Sequence, residues 1–230
     1  MRTAIVLFLS MIPLSGEETW SEWRLDGKHI GWSHETGEEL KDADQVLFRT
    51  VDEGKGWFDK KEFRWRTEYV ETTDGKPVRF AYEGTQGETP LPEIHGERDG
   101  EGMKFAVVEG GKVTSEVRDE GFLFPLGARL FVKAKGFEAG TKYSSRQFSV
   151  DDKKVVTIEA EVVGEAELAL PEGPVKAHLV KQTQVGAQPI PFDVHYDDDG
   201  NVLCLNGTDV QMVLIRSTRE RATAVPGHEK

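Results

Sequence analysis

The chain has 230 residues, 37% of them hydrophobic and 30% charged, with 41 acidic against 29 basic side chains and a formal net charge of −12. That length suits one all-β domain or two small ones, and the balance is that of a folded chain rather than a disordered one. The acidity excludes a general nucleic-acid binder, which needs a basic surface to neutralise phosphates, and disfavours an electrostatic anchor on anionic lipid.

Met1 to Gly16 reads as a secretory signal. Arg2 gives a short positive start, and Ala4 to Leu14 is an apolar core interrupted by Ser10 and Pro13, too short to span a bilayer. No cysteine follows to carry a lipid anchor. The expectation is cleavage near Gly16 and a bacterial periplasmic or secreted protein; the competing reading is a cytosolic protein with an apolar first strand. Residues 17–218 then read as a single β domain, and residues 219–230 as a polar, flexible tail.

The segment from Glu17 to Thr36 carries Trp20, Trp23 and Trp32 and reads as a hairpin turning at Asp26-Gly27. Gln45 to Asp52 is a short predicted strand, broken at Lys55-Gly56. From Trp57 to Val70 the chain alternates, with Phe63, Trp65, Thr67 and Tyr69 on one side and Glu62, Arg64, Arg66 and Glu68 on the other. A repeat of two residues is a strand with one buried face; a helix would repeat near 3.6. A hairpin through Asp74-Gly75 leads into Val78, Phe80 and Tyr82. Thr85 to Pro92 is a loop, and two further strands flank Arg98-Asp99-Gly100. Gly110-Gly111 turns the chain into Lys112 to Val117.

Only Pro125 to Ala134 predicts a helix, with proline in its first turn and Gly136 at its end. Leu126, Leu130, Phe131 and Ala134 form its apolar face, which must pack on the sheet. Strands resume at Ser145 to Val150, Val155 to Gly164 and Lys176 to Val185. The segment Phe192 to Asn206 is a hairpin: Phe192, Val194 and Tyr196 alternate with Asp193 and His195. Asp197-Asp198-Asp199-Gly200-Asn201 makes its turn, and Val202 to Leu205 returns. A last strand covers Val210 to Arg216. The two halves share this plan of strands joined by Gly/Asp turns, as a weak structural duplication would.

Chemistry-bearing patterns are few. The six histidines form no H-E-x-x-H and no zinc-finger spacing, so no metal or cofactor is expected. His178 and His195 fall in neighbouring predicted strands, near enough to meet. Asp197 to Asp199 lack the alternating ligands and closing glutamate of a calcium loop and read as turn residues. Cys204 has no partner for a disulfide and reads as a small core side chain. No nucleophile elbow, phosphate-binding loop or dinucleotide fingerprint is present, so no catalytic residue is assigned.

Four stretches carry a resemblance: W-x-x-W-R-L-D-G-K-H-I-G-W near the start, T-D-G-K-P-V-R-F, F-E-A-G-T-K-Y, and F-D-V-H-Y-D-D-D-G-N-V-L near the end. They resemble an uncharacterised bacterial β-domain often found ahead of transglutaminase-like modules in exported proteins. The resemblance covers most of residues 18–218. It implies a strongly curved antiparallel sheet or half-open barrel, similar in outline to the bacterial lipoprotein carriers that hold acyl chains, and no catalytic residue comes with it.

The expectation is therefore a mainly β protein with one short helix against the concave face of its sheet. The expected role is non-enzymatic: holding a lipid-like ligand, or binding a cell-envelope protein, with no nucleic acid and no stable membrane span. Trp65, Phe80, Leu130, Phe192 and Tyr196 are the candidate ligand-lining residues. The alternatives are an interaction domain with a filled core, or a hydrolase whose site is assembled only by the fold. If the signal reading holds, N-terminal sequencing of mature protein will start between Ser15 and Trp20; an intact Met1 on cytosolic material contradicts it.

Overall fold

The computed structural model describes residues 16, 18–43, 45–58, 60–150, 152–208 and 211–224, so the signal segment lies outside the described residues apart from Gly16. The first half of the chain forms β1 (Glu18–Leu25), β2 (Lys28–Asp42), β3 (Gln45–Phe58), β4 (Lys61–Thr72), β5 (Pro77–Gln86), β6 (Thr89–Pro90), β7 (Glu93–Asp99), β8 (Gly102–Glu109) and β9 (Lys112–Glu120). Helix α1 (Pro125–Lys135) follows. The second half forms β10 (Lys142–Ser149), β11 (Lys154–Leu170), β12 (Gly173–Val185), β13 (Ile190–Tyr196), β14 (Val202–Gly207), β15 (Met212–Ser217) and a short helix α2 (Arg219–Thr223).

All fifteen strands belong to one antiparallel sheet. Each strand pairs with its sequence neighbour, except that β6 is a two-residue flap on β5 and β7 pairs with β5 directly. Strand β15 returns to pair with β1, so the two halves form one continuous sheet, and β9 and β10 become its ends. Curvature brings these ends near each other, but no ladder closes them into a barrel. The β9–α1 linker crosses the seam with a single parallel bridge between Leu123 and Gln147, where the Leu123 N–H donates to the Arg146 carbonyl at 2.8 Å. Arg146 also reaches Asp119 at 2.7 Å and the Glu120 carbonyl.

The hydrophobic cluster lies on the concave face. In β4 the side predicted to be inward, Phe63, Trp65, Thr67 and Tyr69, is buried. Phe105 of β8 stacks on Phe148 of β10 at 4.0 Å between ring centres, so the two ends of the sheet meet through their side chains. Each such aromatic contributes about 1.5–3 kcal/mol by leaving water. The convex face carries Trp20 and Trp32, 5.4 Å apart and half-buried, whereas Trp23 and Trp65 point inward.

Four expectations need correction. Lys55-Gly56 does not break the chain: β3 runs on to Phe58, and Gly54 is there because a Cβ would lie 2.1 Å from the Trp65 ring on the neighbouring strand. The 85–92 loop contains the β6 flap. The buried face of α1 is Pro125, Leu126, Gly127, Ala128 and Val132, while Leu130 is exposed and Ala134 faces solvent. The 125–128–132 stripe is shorter in carbon than the Leu130–Phe131 stripe, but small residues let the helix sit close to the sheet. The tail begins with α2, whose Ala222 is fully buried; its first turn is capped by Thr218, and Arg221 donates to the buried Glu22 carboxylate at 3.3 Å. A small residue at one contact point hides in a polar sequence.

The β13–β14 turn shows why its sequence is as it is. Gly200 has φ of 80°, and a Cβ there would stand 3.0 Å from the Arg129 carbonyl of α1. The Asp197 carboxylate accepts from the Asp199 and Asn201 N–H groups at 2.9 and 2.8 Å. Asp198, almost fully exposed, meets His178 Nε2 at 2.7 Å instead. Gly200→Val should therefore destabilise by about 1–2 kcal/mol through backbone strain. Asp197→Ala should cost about 1 kcal/mol and Asp198→Ala less, because only Asp197 holds the turn backbone. Chemical denaturation of the three variants checks the order; a Gly200→Val midpoint equal to wild type contradicts it.

Candidate functional site

Helix α1 stands at the open seam of the sheet. Its N-cap is Phe124, which has no side-chain acceptor for the first free N–H groups. The acceptor comes from β4: the two carboxylate oxygens of Glu71 take the N–H groups of Leu126 and Gly127, each at 2.8 Å. Glu71 is fully buried. Burial pushes its carboxyl up to about 8, against the two N–H groups, which pull it down. The helix start is held close by glycine on both sides, because a Cβ on Gly127 would lie 2.4 Å from the Gly75 carbonyl in the β4–β5 turn. At the far end Lys133 pairs with Asp199 at 2.7 Å, and Arg129 Nε donates to the Asp199 carbonyl at 3.2 Å.

Two spaces adjoin the helix. Beneath it is a cavity of about 30 Å³, lined by Tyr69, Phe148, Gln182, Tyr196 and the Ala128–Val132 face. Gln182 Nε2 donates to the Tyr196 hydroxyl at 2.8 Å, and Gln182 Oε1 is buried beside the Tyr143 hydroxyl. Beside the helix, on its other flank, is an open groove of about 550 Å³. Its apolar floor is Met103, Phe122, Leu123, Leu130 and Phe131; the β4–β5 and β7–β8 hairpin tips and the end of β9 supply a rim of Lys76, Arg98, Glu101 and Glu120. Leu123, the residue of the seam bridge, lines both spaces.

Four of the five predicted lining residues share one buried cluster, and Leu130 lies apart from them. Trp65, Phe80, Phe192 and Tyr196 are buried in one cluster, Trp65 against Trp23 and Phe63, and Phe80 against Tyr69, Phe105, Phe124 and Phe148. Of these only Tyr196 reaches the cavity, and only Leu130, 37% exposed, reaches the groove. The residues missed were Leu123 and Phe131 of the groove and, above all, Glu71. Glu71 carries no local signal, because its partner lies 55 positions away.

His178 and His195 form no joint site. His178 pairs with Tyr196 across the ladder and His195 with Leu179, so the two sit on adjacent strands with opposite facing. His178 stacks on Phe137, with ring centres 4.2 Å apart. Cys204 lies opposite His195, but burial pushes its thiol up to about 12, which keeps it protonated and a poor nucleophile.

Together these features define a class: a large antiparallel sheet, barrel-like but unclosed, with a helix set into its open seam. A solved structure with this outline is a β-barrel-like protein of the domain of unknown function DUF1849 from Brucella abortus. The likeness has a TM-score of 0.63 at 15% identity over 87% of this chain and 95% of that one. A DUF1089 family protein from Pseudomonas aeruginosa aligns more loosely, with a TM-score of 0.45 at 9% identity over 79% of this chain and 90% of that one. No family model matches the sequence, and no curated protein does. Among the described residues no helix is long and apolar enough to cross a membrane.

The close approach at the helix start gives a test. Gly127→Ala forces Cβ against the Gly75 backbone and should cost about 1–3 kcal/mol, with faster hydrogen exchange across α1. Wild-type stability and exchange in this variant would mean that the helix is not seated on the β4–β5 turn.

Proposed function

We propose that the chain is an exported, non-enzymatic binding protein of the cell envelope, and that it takes an apolar, lipid-like ligand in the groove beside α1. One observation carries this reading: the contrast between the two spaces at the helix. Ligand sites for small molecules span about 300–1,000 Å³ and are mostly apolar with a few polar groups at the edge. The groove, at about 550 Å³, falls within that range, whereas the cavity beneath the helix, at about 30 Å³, has room for little more than a water molecule. This reading puts the ligand on the flank of the helix rather than among Trp65, Phe80 and Phe192, and the larger volume of the groove supports it. An exposed leucine and a half-buried phenylalanine on a helix otherwise seated by small residues are accounted for by such a ligand.

A second reading, an interaction domain with no small-molecule site, is favoured by the packing of the aromatic cluster. One experiment separates them. Wild type should bind a fluorescent fatty-acid probe, and Leu130→Glu should weaken binding about tenfold, or about 1.4 kcal/mol, with the β-type circular dichroism unchanged. Absence of probe binding by wild type, with a cooperative melt, supports the interaction domain.

A further inference from the structure

The cations around the groove are unequally satisfied. Lys76 pairs with Asp74 at 3.0 Å within its own turn. Arg146 holds Asp119 at 2.7 Å across the seam, and Arg118 holds Asp99 at 3.3 Å. On the helix, Arg129 and Lys133 both go to Asp199, and Lys135 lies over the Phe131 ring at 5.2 Å. Arg98 differs from all of these. It lines the groove, and among the described residues its guanidinium has no hydrogen bond, ion pair or ring contact.

The ladder sets where Arg98 stands. It is directly opposite Met103 in the β7–β8 pair, and Met103 is 1% exposed within the concave core. Directly opposed residues share a face, so Arg98 rises from the same side as the groove floor, at its exposed end. Asp119 shares that face as the other neighbour of Met103, and Arg146 already holds it. Glu120 stands opposite Gly102, one step along, and so belongs to the convex side; Glu101 sits in the β7–β8 turn. These two carboxylates are on the rim and have no paired cation among the described residues. The floor face thus combines apolar side chains with one unneutralised cation.

We propose that the groove selects a single-chain amphiphile with a carboxylate head, a long-chain fatty acid: Arg98 holds the head, and the tail lies over Met103, Phe122 and the Leu130–Phe131 flank of α1. The guanidinium presents paired N–H donors that match the two oxygens of a carboxylate. One cation balances one negative charge. A phosphate monoester carries about −1.5 to −2 at neutral pH and would stand partly uncompensated beside Glu101. A cationic head would need a free carboxylate on the floor face, where Asp119 is already paired. The volume of about 550 Å³ lies in the lower half of the range for small-molecule sites, which suits one chain rather than two. This head-group selectivity rests on the groove being the ligand site, as proposed above.

Displacement of an uncharged, environment-sensitive naphthylamine dye from the full chain tests groove and head separately. The dye reports the groove. A fatty acid then competes with the alcohol, the alkyl phosphate and the alkyl trimethylammonium of the same tail, all below their micelle thresholds. Wild type should release the dye at about tenfold lower fatty acid than alcohol, the scale of one charge-assisted pair at an open site, and salt should narrow that ratio. Arg98→Gln should bring the ratio to about one, Arg98→Lys should keep part of it, and Arg98→Glu should favour the trimethylammonium. Arg98 is exposed, so these variants keep the sheet, which circular dichroism checks. Equal displacement by acid and alcohol, a preference for the phosphate or the trimethylammonium, or a wild-type ratio in Arg98→Gln overturns the carboxylate reading while the groove stands. No dye uptake by wild type overturns the groove, and this reading with it.

Discussion

The contact between Glu71 and the first turn of α1 decides how this molecule is finished. A sheet of fifteen strands with apolar side chains on its concave face must cover that face or close on itself. It does neither completely, because β9 and β10 share no ladder. The helix sits in the remaining opening, and it starts without a cap of its own. One carboxylate from β4 serves both orphan donors, and the pair of glycines lets the backbones approach closely enough for it to reach. The place of α1, the cavity beneath it and the groove beside it all follow from that contact.

The seam is held by side chains where a barrel would use backbone. Arg146 spans to Asp119 and Glu120, Lys153 spans to Glu109 at 3.4 Å, and Leu123 makes the single bridge. Exposed ion pairs of this kind contribute about 0–1 kcal/mol each, so most of the closure comes from the aromatic stack behind them, Phe105 on Phe148. Strand β9 carries Lys112, Glu116, Arg118, Asp119 and Glu120, charges that discourage pairing with another sheet edge. The edge is thus protected although no ladder closes the sheet.

Much of this architecture is written locally. Alternation along β4, β5 and β13 shows which side is buried, and Asp26-Gly27, Asp74-Gly75 and Asp99-Gly100 mark the hairpins because their backbone needs residues that accept left-handed conformations. Pro125 and Gly136 bound the helix within one residue. What the sequence conceals depends on distant partners. Lys55-Gly56 looks like a strand breaker until β3 is paired through it, Gly56 standing opposite Gly31 of β2 and Phe63 of β4. Leu130 and Phe131 look like the core face of α1 until the helix is turned by its small residues toward the sheet. Glu71 looks like a surface residue, since nothing near it in sequence announces a helix start 55 positions on. The groove needs Lys76 from the β4–β5 hairpin and Arg98 and Glu101 from the β7–β8 hairpin, so no local motif marks it.

The ligand site proposed for this chain is the outer flank of a helix seated in an open seam, not the inside of the curved sheet. Photoaffinity labelling with a diazirine-bearing fatty acid, mapped by peptide mass spectrometry, tests this most directly. The account predicts labels on Leu123, Leu130 and Phe131 and on the hairpin tips around Lys76 and Arg98. Labels concentrated on Trp65, Phe80 and Phe192 would contradict it and return the ligand to the sheet interior.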